Sequence, residues 1–303
     1  MKKHFYFLMS LLTLACLSAC SGSTSTDTHS AGETVIYVEE SFKPLFETSI
    51  DTFESLYAKA DITAKYNSES NVIDMFFKNK TKTICISRDF TKEEKAQLKK
   101  NQVEVRSDKI AGDAIALIVN PENPDTLMTV EQLKRIILGK DTVWNSLKTK
   151  INVVFDQENS ANFHYLKELC AIGNLPINVF AVKSNEEVIN YVKTHKSALG
   201  VIGVNWVSDR DDFDVLDFLN GIKVLAVAKT EKDKYFKPYQ GFIYTKEYVL
   251  TRDVWMINKA KKSGLNTGLV LFMIGESGQL LIQKCGLVPA NSPVRLIQMS
   301  TEE

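Results

Sequence analysis

The chain has 303 residues, 44% of them hydrophobic, with 37 basic and 37 acidic side chains, 14 glycines and 7 prolines. That composition excludes disorder, collagen-like repeats and coiled coil, and it supplies enough chain for two domains with their own cores. A formal net charge of zero with no dense Lys/Arg stripe lacks the long-range attraction of a nucleic-acid binder.

Residues 1–4 are a basic start and residues 5–15 an almost unbroken apolar run. At about 1.5 Å per residue that run is too short to span a bilayer comfortably, so residues 1–19 read as an export signal. Leu17-Ser18-Ala19-Cys20 resembles the lipobox of bacterial lipoproteins. The resemblance implies cleavage before Cys20 and a diacylglycerol on its thiol, with an ordinary secretory signal as the alternative. Loss of residues 1–19 removes Lys2 and Lys3 and no acid, leaving a formal net charge of −2. After Cys20, residues 21–32 carry no aliphatic side chain larger than alanine. Such a stretch buries too little area to offset ordering entropy, so 20–32 is expected to be a flexible tether.

From Thr34 short β-branched runs alternate with amphipathic stretches. Strands are expected at 34–38, 61–66, 83–87, 103–107 and 151–155, and again at 178–182, 199–206 and 221–228. Helices are expected at 42–58, 72–78, 91–101, 160–170 and 185–194. Residues 114–119 form a continuous apolar run, suited to a strand buried on both faces and ended by Asn120-Pro121. Thr129 caps a further helix that stops at Gly139. This alternation predicts an α/β chain with parallel sheets and helices on both faces. The run at 114–119 is expected to cross between two lobes, with a return around 222–245. Cys85, Cys170 and Cys285 read as buried free thiols, a disulfide between two of them being the alternative. Trp144, Trp206 and Trp255 read as packing residues. No metal spacing is present, and only His164 and His195 lie in the body.

Three strand-to-helix loops carry the chemistry. They are Glu39-Glu40-Ser41 with Pro44 in the next helical turn, Ser87-Arg88-Asp89 before Thr91, and residues 156–162 before the helix at 160. Each places a hydroxyl and unpaired N–H groups at a helix N-terminus, which is either simple capping or an anion site.

Residues 111–124, 127–133, Gly139-Lys140, Trp144, 198–203, 250–255, Gly278-Gln279 and 286–289 resemble, in order, the phosphate-binding proteins of ABC transporters, the PstS-like branch of the periplasmic solute-binding proteins. The likeness covers nearly all of 34–298. It implies an α/β, two-lobed periplasmic binding protein of type II with two hinge-crossing strands. Lobe I would take 33–113 and 226–303, and lobe II 114–225. It also implies a monomer without cofactor, a permease and an ATPase as partners, and residence in the cell envelope on the periplasmic side.

Carried over by position, Ser41 and Phe42 match the family's first loop, and Ser68 or Ser70 the second contact. The third loop reads Ser87-Arg88 where the family has Ser-Asp. In the fourth, Asp156 stands for the family's arginine, Ser160 is retained, and Asn162 replaces a threonine. These exchanges predict either an Arg88–Asp156 pair across the cleft or two separately solvated side chains. His164 and Arg252 remain open between ligand contacts and interlobe residues. The implied function is capture of phosphate or a related oxyanion for uptake. The alternative is an anion-sensing or accessory lipoprotein of the same fold. A hydrolase is disfavoured, since the chain has no G-x-S-x-G elbow, no P-loop and no metal-spaced histidine pair.

Overall fold

The computed structural model describes residues 27–172, 179–209, 213–259 and 263–291. The expected export signal and Cys20 lie outside them. From the N-terminus, β1 (Ala31–Glu39) passes through a 3-10 turn (Glu40–Phe42) into α1 (Lys43–Leu56). Next come β2 (Lys59–Asn67), α2 (Glu69–Phe77), β3 (Thr83–Ile86), α3 (Lys92–Lys100) and the long β4 (Val105–Val119). The chain continues with β5 (Leu127–Thr129), α4 (Val130–Ile137), β6 (Asn152–Phe155), α5 (Ala161–Cys170), β7 (Val179–Ala181), α6 (Asn185–Thr194) and β8 (Ala198–Gly203). Then follow α7 (Asn205–Ser208), α8 (Phe213–Asn220), β9 (Lys223–Val224), β10 (Ala226–Ala228) and α9 (Gln240–Tyr244). The last elements are β11 (Thr251–Lys259), α10 (Leu265–Ile274), α11 (Glu276–Lys284) and β12 (Val288–Pro289).

One sheet runs β2-β1-β3-β11-β4-β8-β6-β7, with β12 and β9 also on β4, and β5 pairs with β10 apart from it. β4 joins two halves. Its residues up to Ala114 pair with β11, and Ile115 to Val119 pair with β8. Every residue from Ile110 to Val119 is buried, as a strand covered on both faces requires. The expected strand at 103–107 is therefore the start of β4 and not a separate element. The return from β10 runs through α9 and enters β11 at Thr251, opposite Ala114. Because the chain leaves through β4 and comes back through β11, these strands are antiparallel. The expected all-parallel sheets hold only in the wings, where β1 pairs with β2 and β3, and β6 with β7 and β8.

Local chemistry explains the other boundaries. Pro44 lies in the first turn of α1, where its missing N–H is harmless, and the Leu45 N–H donates to Asn205 Oδ1 at 2.9 Å. The buried face of α1 is Leu45, Phe46, Ser49, Ile50 and Phe53, and the Phe53 ring meets Phe272 edge-on at 5.3 Å. Thr129 and Gln132 form a reciprocal capping box on α4, and Gly139 beyond it has φ of 68°, a left-handed conformation suited to glycine. The expected strand at 199–206 stops at Gly203 because α7 begins at Asn205. The stretch 221–228 divides at Leu225 between β4 and β5. The stretch expected as tether is already packed from Asp27, whose Oδ1 accepts the Leu265 N–H at 2.7 Å. Cys85 is a buried free thiol and Cys170 a half-buried one, and Cys285 is buried as well.

Candidate functional site

β1 ends at Glu39, and the following turn brings Glu40, Ser41 and Phe42; all four are buried. Glu39 Oε2 accepts the Ser41 N–H at 2.9 Å, while Oε1 accepts the Ala161 N–H at 3.2 Å from the other half of the molecule. Ala161 is the first residue of α5, so one carboxylate is held by N–H groups from both sides of the cleft. Ser41 Oγ has no hydrogen-bond partner among the described residues.

Ser160 caps α5 by accepting the Phe163 N–H at 3.1 Å, and its hydroxyl donates to Asp156 Oδ1 at 2.7 Å. Asn162 Nδ2 donates to the same oxygen at 3.0 Å and to Asn185 Oδ1 at 3.1 Å. Asn185 also holds Glu40 through both its backbone N–H and its Nδ2. Arg252 ties the halves together: Nε donates to Asp113 Oδ2 at 2.6 Å, and Nη1 to Asn162 Oδ1 at 2.8 Å. Its guanidinium carbon lies 5.2 Å from the centre of the Phe42 ring, within cation–π range.

A second cluster stands beside the first. Ser87 donates to Glu69 Oε1 through both N–H and Oγ, at 2.9 and 2.7 Å, and His164 Nδ1 lies 3.2 Å from Glu69 Oε2. Ser68 is buried at the N-cap of α2, and the Ser70 N–H donates to Asn159 O at 3.2 Å. Glu69, Arg88, His164, Tyr165, Arg252 and Trp255 line a cavity of about 670 Å³ that opens between the halves. A more apolar cavity of about 570 Å³, bounded by Val204, Leu219, Val224 and Tyr239, lies apart from these groups.

The predicted Arg88–Asp156 pair does not form. Arg88 Nη1 and Nη2 bind Glu94 at 2.7 and 2.9 Å, and its Nε lies 3.8 Å from Glu69. Asp156 is fully buried among Ser160, Asn162 and Asn185. The carboxylates of Glu94 and Glu69 are nearer to Arg88 and already fix its fork.

The electrostatics divide the two clusters. Burial, then the charge of Asp156, pushes Glu39 up to about 8. Burial likewise lifts Glu40 to about 7, and burial with the Glu40 charge lifts Asp156 to about 7. Burial works against the charge of Arg252, but Asp113 and Glu39 outweigh it and raise its pKa. Glu69 is held below the ordinary carboxylate range: burial opposes this, and the bonds from His164 and Ser87 prevail. Among the described residues, no group of three His, Cys, Asp or Glu side chains is arranged to hold a metal ion.

Two central participants stood outside the expected contact residues: Glu39 was named only as part of its loop, and Arg252 was left open between a ligand contact and an interlobe residue. The signal for Arg252 was Asp113, an acid beside an apolar run buried on both faces. A charge there demands a partner, and Arg252 stands directly opposite it on β11. For Glu39 the signal was two consecutive acids closing a strand.

The chain belongs to the PBP superfamily, whose domain model matches residues 23–276. Within it the chain is similar to PstS proteins. The phosphate-binding protein PstS of Borreliella burgdorferi is 23% identical over 298 residues, covering 94% of this chain and 98% of that protein. Protein SphX of Synechocystis is 28% identical over 254 residues, covering 78% of this chain and 73% of SphX. Among solved structures, a Clostridium perfringens protein with bound phosphate matches with a TM-score of 0.73 at 20% identity, covering 86% of this chain and 100% of that one. An ABC-type phosphate transport receptor from Vibrio cholerae gives 0.63 at 20% identity, over 84% and 99% of the two chains. The expected two-lobed α/β fold is borne out by these likenesses.

Proposed function

We propose that the chain is a lipid-anchored, extracytoplasmic solute-binding protein that captures phosphate, or a related oxyanion, between two lobes and delivers it to an ABC permease and ATPase. The observation that carries this reading is the Glu39 carboxylate, bound by the Ser41 and Ala161 N–H groups from opposite halves. Two oxygens of one anion are met there by donors from both sides, as a captured oxyanion would be. The names of the relatives support phosphate as the solute. The activity is binding without turnover, by a monomer that needs no cofactor. The proposed lobes are 33–113 with 226–303, and 114–225; pairing of β10 with β5 favours a return just after Ala228.

Ser41, Phe42, Ser160 and Asn162 are proposed as the residues around the anion. Ser70, Ser87, Arg88 and Asp156 act around them through Asn159, Glu69, Glu94 and Asn185, with Ser68 buried at the start of α2. A thermal-shift panel of phosphate, sulfate, molybdate and organic phosphates tests the reading. Phosphate is expected to raise the melting temperature, and a panel in which no oxyanion does so refutes it. For the anchor at Cys20, fatty-acid labelling is expected in the parent and absent in Cys20→Ser; label persisting in the variant removes Cys20 as the attachment point. The crowd of acids around Glu39 keeps a second reading in view, an accessory or anion-sensing lipoprotein of the same fold. Genomic neighbours encoding a permease and an ATPase favour transport over that reading.

A further inference from the structure

Glu39 uses both carboxylate oxygens on N–H groups, one of them 122 residues away in sequence. A local cap needs only the first, Ser41 N–H, two residues on. The second comes from the N-terminus of the ten-residue α5, across the cleft. Further donor capacity lies beside this carboxylate. Ser41 Oγ and Arg252 Nη2 are both buried and have no partner among the described residues. They meet at Gly203, where an added methyl group would lie 2.8 Å from Arg252 Nη2 and 3.0 Å from Ser41 Cβ. The buried cluster thus holds two N–H groups that Glu39 occupies and two donors, a hydroxyl and a guanidinium N–H, that it leaves unpaired.

We propose that Glu39 is a built-in competitor for the solute: an incoming oxyanion displaces its carboxylate from the Ser41 and Ala161 N–H groups, and one proton from solvent is taken up by the displaced acid cluster. This rests on the reading of the chain as an oxyanion binder. The crowding of like charges favours the proton. Facing Glu39 are Asp156 from the loop after β6, Glu69 from α2, Glu40 in the adjoining turn and Arg252 from β11. Asp113 of β4 is already paired with Arg252. The buried Cys85 thiol of β3 is pushed far up and stays neutral. His164 and Arg88 are engaged by Glu69 and Glu94. A phosphate dianion added to this crowd is opposed by desolvated like charges, and protonation of one carboxylate relieves the repulsion. The acids of the cluster titrate at about 7 to 8 before the anion enters. Binding raises them further, so above neutrality each anion brings a proton in, and affinity falls as pH rises.

Calorimetry with inorganic phosphate at about pH 8.5, above its second ionisation, in two buffers of different ionisation heat, counts that proton on the purified full chain. Uptake of about half to one proton per phosphate is expected. Glu39→Gln, with Glu39→Ala as a second variant, should bind phosphate about tenfold or more tightly with reduced uptake; binding to the variants alone supports the proposal equally. Binding to the parent with heats independent of buffer, and unchanged affinity in both variants, overturns the competitor and leaves the oxyanion reading standing. Failure of parent and both variants to bind phosphate overturns the two together.

Discussion

Arg252 and Arg88 line the same cavity with unequal consequences for stability. The Arg252 and Asp113 side chains are 4% and 0% exposed, so truncating the arginine strands a buried acid. Breaking such a pair from one side costs roughly 3–5 kcal/mol. Arg88 is 36% exposed beside Glu94, where a pair contributes about 0–1 kcal/mol. Urea denaturation should therefore show a large fall in midpoint for Arg252→Ala and a small one for Arg88→Ala. Equal falls would mean that the Arg252–Asp113 pair is no more costly to break than the half-exposed Arg88–Glu94 pair. The residue scale is also where the sequence was least legible. Ser41, Ser160 and Asn162 were named by position, and all three are buried. Whether Arg88 turns to Asp156 or to Glu94 depends on which acid lies nearer in three dimensions, and spacing along the chain does not encode that.

Among the elements, those with their own chemical punctuation were readable. Thr91 and Thr129 each complete a capping box, and the helix expected at 185–194 is found as Asn185–Thr194. Short strands were less readable because their limits come from distant partners. β5 is only three residues long and exists because β10 lies beside it. A three-residue strand carries no alternation to detect. Residues 199–206 are mostly apolar across a stretch that is strand as far as Gly203 and helix from Asn205. Asn205 marks the change, because its side chain closes the first turn of α1 from the opposite half. That role is invisible until the two segments are brought together.

For the molecule as a whole, the buried acids set a direction for stability against pH. Glu39, Glu40 and Asp156 have raised values of about 8, 7 and 7. Between the ordinary carboxylate range and about pH 8 the folded chain thus holds more protons than the unfolded one. Its stability is greatest at the acid end of that window and is lost as pH rises through it. Glu69, Asp89 and Glu94 are shifted downward, and their contribution is lost only as pH falls below the ordinary range. The melting temperature should accordingly be highest near about pH 5 and several degrees lower near about pH 8.5, at roughly 2–4 °C per kcal/mol for a chain of this size. A melting temperature that is flat or rising between those values would show that the acids are not buried together. The alternation of strands and helices gave the layered α/β class, but the antiparallel centre arises only because the chain returns through β11.

The change of partner along β4 has a mechanical meaning. Any swing of one half against the other must bend this strand where β11 gives way to β8, at Ala114 and Ile115. Asp113 lies one residue from that point, and Arg252 lies one residue from Thr251, the partner of Ala114. The buried ion pair is thus mounted on the axle of the motion rather than on its rim. Groups at the rim, such as Glu39 with Ala161 and Glu40 with Asn185, would separate in such a swing. The pair on the axle would turn in place, so two buried charges would stay matched through such a swing.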